Sequence, residues 1–62
     1  MNTNLYIRFI RYAIKTEGCE VADKANKLAL ASAQITTSQY SRAARLIAKA
    51  FLDQSSETEV HV

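Results

Sequence analysis

The sequence predicts an all-α fold, a small three-helix domain over residues 1–53 followed by a disordered acidic tail over residues 54–62. Three observations predict it. Apolar residues recur at helical spacing in three separate stretches. Gly18, the single glycine, stands where the first stretch ends. The segment Ile35-Thr36-Thr37-Ser38-Gln39-Tyr40 spells a helix start: Thr36 as N-cap, Gln39 three residues on to complete a capping box, and Ile35 reaching to Tyr40 as a hydrophobic staple. Cap and staple set the angle of entry, so the expected architecture includes a helix-turn-helix corner at residues 34–37.

The first helix is expected over residues 3–16, with Asn2, Thr3 or Asn4 as N-cap. Its apolar residues, Leu5 to Ile14, spread over an arc of about 220°, leaving Arg8, Arg11 and Lys15 on one wet stripe. Such a helix is either central to the domain or covered on a second side by another subunit. The second helix is expected over residues 20–33, with Val21, Ala25, Leu28 and Ser32 aligned inward and Asp23, Asn26 and Lys27 facing away. Its face is mostly alanine, a strong helix former that buries little area. Leu30 falls on the polar side. The third helix is expected over residues 36–53, with Tyr40, Ala44, Ile47 and Phe51 as its inner seam, Leu46 and Leu52 flanking it, and Arg42, Arg45 and Lys49 outside. The expected core is Leu5, Phe9, Ile10, Ala13, Val21, Ala25, Leu28, Ile35, Tyr40, Ala44, Ile47 and Phe51.

With 62 residues, the chain has room for one domain and a core worth roughly 3–5 kcal/mol. Cys19 is the only cysteine, so no disulfide braces that core, and His61 in the tail is the only histidine, so no four-ligand zinc site forms. No apolar run approaches the ~20 residues of a membrane span, and Arg8 and Arg11 interrupt what would be a signal peptide. A cytoplasmic protein is expected. All eight Lys and Arg lie in residues 1–52, against Glu17, Glu20 and Asp23, whereas residues 53–62 carry Asp53, Glu57 and Glu59 and no base. The body is basic and the tail acidic.

No constellation for catalysis is present: there is no spaced carboxylate pair, no histidine in the body and no glycine-rich phosphate loop. The expectation is a non-enzymatic binding protein with no cofactor, metal or small-molecule substrate. One form would be a DNA-binding helix-turn-helix in which Thr37, Ser38, Ser41, Arg42, Arg45 and Lys49 contact phosphates or base edges. Against the repressor-type motif, the turn residue in this register is Gln34 and the residue four positions earlier is Leu30, where a glycine and a small residue are usual. The leading form is a protein-interaction module, a homodimer in its simplest closed arrangement, with Tyr6, Ile7, Ile14, Leu30 and Leu46 as its interface.

Residues 28–52, through Ile35-Thr36-x-x-Gln39-Tyr40 and Ile47, resemble the helix, I-T-x-x-Q/E-Y/F, helix hairpin of the short C-terminal oligomerisation domain family and of small bacteriophage tail-region proteins. That resemblance implies a regulatory or accessory protein of phage or mobile-element origin that acts by helix packing.

Overall fold

The computed structural model describes the backbone of residues 2–60 and the side chains of residues 2–54; His61, weighed above as a metal ligand, lies outside them. The described residues form three α-helices and no strand: α1 at Thr3–Glu17, α2 at Cys19–Ala31 and α3 at Thr37–Val60. Each packs against both others. The Gln39 amide Nε2 donates to Thr3 Oγ1 at 3.2 Å, tying the first turns of α1 and α3 together. Ile7 and Leu46 share a groove further along, and Cys19 at the start of α2 faces Ile47 and Phe51. Helices α1 and α3 therefore run in the same sense, with α2 returning between them.

Local chemistry accounts for the helix ends. Asn2 caps α1, its Oδ1 accepting the Asn4 N–H at 2.9 Å and the Leu5 N–H at 3.4 Å, which satisfies two of the donors a helix start leaves open. At its other end Gly18 adopts φ 97°, a conformation that favours glycine, and its N–H reaches the carbonyls of Ala13 and Ile14 at 3.1 Å. One residue thus links two helices. Helix α2 ends in a Schellman motif: Ala33 N–H bonds the Leu30 carbonyl at 3.0 Å and Gln34 N–H the Ala29 carbonyl at 2.9 Å, with Ala33 itself left-handed at φ 57°. That left-handed residue stops α2 at Ala31, two residues before the expected end. The capping box forms as read: Gln39 N–H donates to Thr36 Oγ1 at 3.1 Å, and Thr36 N–H donates to Gln39 Oε1 at 2.7 Å. Ile35 is buried and Tyr40 packs beside it on the core.

Helix α3 continues to Val60, past the expected end at residue 53 and through most of the stretch expected to be a disordered tail. No glycine or proline interrupts residues 37–60, so nothing in the backbone forces an earlier stop. At 1.5 Å per residue α3 is about 36 Å long and overhangs the α1–α2 pair by about 14 Å.

The core corrects the expected register. Its buried members are Tyr6, Ile10, Ala13, Ala22, Ala29, Ile35, Ala43 and Ile47. Of the expected core, Ile10, Ala13, Ile35 and Ile47 are buried, and Ala25, Tyr40 and Ala44 are half-buried. Leu5, Phe9, Val21, Leu28 and Phe51 are exposed instead. Asn26, expected to face away, is fully buried, and Leu30, expected on the polar side, packs against the core. The physical reason is a polar bridge across all three helices. Tyr6 Oη donates to Asn26 Oδ1 at 2.5 Å, and Asn26 Nδ2 donates to the Tyr40 carbonyl at 3.2 Å. With its amide satisfied at both ends, Asn26 costs little to bury. Among the described residues no buried side-chain polar atom lacks a partner. The rest of α2's inner line, Ala22 and Ala29, joins Ala13 and Ala43 in the same buried cluster, small side chains that let the three helices pack closely.

Candidate interaction surfaces

Three surfaces result from this register. The first is the outer side of the α1–α2 pair. Once Tyr6, Ile10 and Ala13 point inward, the helical repeat brings Leu5, Phe9 and Tyr12 onto one outward stripe with Thr16. The same rotation on α2 turns Val21 and Leu28 outward. On both helices this stripe lies on the side away from α3. Leu5 is 60% exposed, Phe9 53%, Tyr12 62%, Val21 45% and Leu28 67%. Arg8 and Lys15 border this stripe on α1, three or four residues from Leu5 and Tyr12, and Lys24 stands beside Val21 and Leu28 on α2, so exposed cations rim the apolar face.

The second surface is a groove of about 230 Å³ between α1 and α3, lined by Ile7, Arg11, Arg42, Arg45, Leu46 and Lys49. Four cations surround a floor of two aliphatic side chains. Arg42, Arg45 and Lys49 share one side of α3 by their three- and four-residue spacing; Arg11 joins them because α1 lies alongside in the same sense.

The third is a larger groove of about 800 Å³ between the α1–α2 junction and the C-terminal half of α3. Its floor and walls include Cys19, Ile47, Ala48, Phe51 and Leu52, and its rim carries Glu17, Glu20 and Asp23. Asp23 Oδ2 holds the Lys27 ammonium at 3.0 Å, and that hydrogen bond, with the charge attraction behind it, raises the lysine's pKa above its ordinary value. The Cys19 thiol is half-buried in the groove wall.

The expected interface residues fall elsewhere. Tyr6 is 1% exposed, and Ile7, Ile14, Leu30 and Leu46 are partly buried against the core. Of the expected nucleic-acid contacts, Arg42, Arg45 and Lys49 meet in the basic groove, while Thr37, Ser38 and Ser41 are exposed but do not line it. The exposed outer stripe was missed because Leu5, Phe9, Val21 and Leu28 were assigned to the core. Its signal in the sequence is the surplus of large apolar residues on α1, more than one core-facing side of a helix can bury. Among the described residues no group of His, Cys, Asp and Glu could hold a metal ion, and no helix is long and apolar enough to cross a membrane. No known family, no curated protein and no solved structure matches this chain.

Proposed function

We propose that this chain is a small non-enzymatic protein-interaction module that self-associates as a homodimer through the outer face of α1 and α2. The observation that carries the reading is the exposure of Leu5, Phe9, Tyr12, Val21 and Leu28 on one side of a 62-residue chain. Together they offer on the order of 600 Å² of apolar surface, close to the ~800 Å² that each partner contributes to a standard interface. A second copy is the favoured occupant because a two-fold axis sets the apolar residues of this face against themselves and leaves Arg8, Lys15 and Lys24 at its solvated rim. The resemblance of residues 28–52 to an oligomerisation hairpin supports the same class of function. The test is sedimentation equilibrium at high micromolar concentration. A dimer is expected, and Phe9→Glu with Leu28→Glu should give a monomer that keeps its helical circular dichroism. A strictly monomeric wild type would overturn the reading.

One observation favours a second reading, DNA binding. Arg11, Arg42, Arg45 and Lys49 line one groove, and the left-handed turn residue is Ala33. The residue four positions before it is then Ala29, small and buried, so a shift of one residue removes the mismatch at Leu30, although the turn position is held by Ala33 and not by a glycine. A mobility-shift titration on mixed-sequence duplex separates the two. Binding that weakens by orders of magnitude between ~50 and 200 mM salt, and that Arg42→Ala with Arg45→Ala abolishes, would replace the first reading with the second.

A further inference from the structure

We propose that the acidic-rimmed groove between the α1–α2 junction and the C-terminal half of α3 seats a cationic amphipathic helix of a partner protein. The groove lies against α3 and shares no residue with the outer α1/α2 stripe, so this inference stands apart from self-association and fails separately from it.

Shape comes first. Ala44 and Ala48 lie one turn apart on α3, and Gly18 faces them from the junction. These small residues leave a trough in which a helix backbone can come close. Phe51, 59% exposed, and Leu52, 63% exposed, stand at the end of the trough. They lie where α3 begins to overhang the shorter helices, so neither α1 nor α2 covers them. The position is that of a missing fourth helix. An apolar stripe at positions i, i+3, i+4 and i+7 would meet Ile47, Ala48, Phe51 and Leu52 along its length. No strand edge exists among the described residues to receive an extended peptide by sheet pairing.

Charge then selects the occupant. Glu17, Glu20 and Asp23 line the rim. Asp53 lies on α3 at the same end, and Glu57 and Glu59 follow it along that helix. Among the residues with described side chains, every acid thus belongs to this end of the bundle, while the four clustered cations occupy the α1/α3 groove. Asp23 is already paired with Lys27 one turn along α2, so the strongest negative charge offered to a partner comes from Glu17 and Glu20. A helix with Lys or Arg flanking its apolar stripe would place cations over the rim as its leucines enter the trough. An acidic helix would meet like charge at the same positions.

The experiment titrates the full ¹⁵N-labelled chain with an 18-residue amphipathic helical peptide of Leu and Lys, and with the same peptide carrying Glu for Lys. The Lys peptide should produce saturable shifts centred on the amides of Gly18, Cys19, Ala44, Ala48 and Phe51. Glu17→Lys with Glu20→Lys should weaken its binding by about tenfold or more, and the Glu peptide should give no saturable shift. Shifts centred on Phe9 and Leu28, equal binding of the two peptides, or no saturation at millimolar peptide would each overturn the proposal.

Discussion

On their inner sides α1 and α2 present Tyr6, Ile10, Ala13, Ala22, Asn26 and Ala29 to the core, whereas on their outer sides the same two helices present Leu5, Phe9, Tyr12, Val21 and Leu28 to solvent. Apart from Tyr6 and Ile10 the inner residues are small or polar; the outer ones are all large and apolar. On α2, side-chain hydrophobicity alone would choose the reverse. The inner face prevails because burial is decided by what a side chain meets. The alanines let three helices close on one another, and Asn26 receives Tyr6 Oη and reaches the Tyr40 carbonyl, so its burial leaves nothing unsatisfied. The outer face, which α3 does not cover, is left for a partner.

The sharpest way to break this contrast is to remove the polar bridge. Asn26→Ala leaves the Tyr6 hydroxyl buried without its acceptor and should cost about 2–3 kcal/mol in a urea titration. A loss under about 0.5 kcal/mol would mean that the bridge does not hold the register. Thr36→Ala, which removes the cap that starts α3, should cost about 1 kcal/mol, seen as a lower denaturant midpoint at unchanged slope. A gain is expected at the other end of the same connection: Ala33→Gly relieves a left-handed alanine at φ 57° and should stabilise by about 0.5–1 kcal/mol. The smallest effect belongs to the outer face. Leu28→Ser, tested at concentrations low enough to keep the chain monomeric, should change stability by no more than about 0.5 kcal/mol, and a loss comparable to that of Asn26→Ala would erase the distinction between the two faces.

What was legible in the sequence was local. The three helices, a cap among Asn2, Thr3 and Asn4, the Gly18 stop and the Thr36–Gln39 box all depend on residues within a few positions of one another, and all are found, with Asn2 as the cap. The basic side of α3 was legible for the same reason. The rotation of α2 was not, because it depends on Tyr6, 20 residues before Asn26, and on Tyr40, 14 residues after it. An asparagine in an alanine-rich helix looks like a wet residue until both partners are in place. The acidic groove was hidden in the same way. Glu17, Glu20 and Asp23 are near neighbours in the chain, but only the fold sets Phe51 and Leu52 opposite them. The end of α3 is hidden for another reason: polar composition after residue 53 resembles a tail, yet it contains no glycine or proline to break the helix.

The most direct measurement follows the ring of Tyr6 through an alkaline titration by NMR. Burial raises the pKa of its hydroxyl above the ordinary tyrosine value of 10.0, because the phenolate would lose its hydration inside the bundle. The neutral form is the one the fold prefers, so Tyr6 contributes stability that is fully present below pH 10 and is lost as the pH rises through its folded-state value. The account predicts a Tyr6 titration midpoint above 10, accompanied by a fall in stability over that range and, below it, ring contacts to the Asn26 amide. A Tyr6 ring that titrates at 10 or lower and shows no contact with Asn26 would contradict it, and would return Phe9 and Leu28 to the interior.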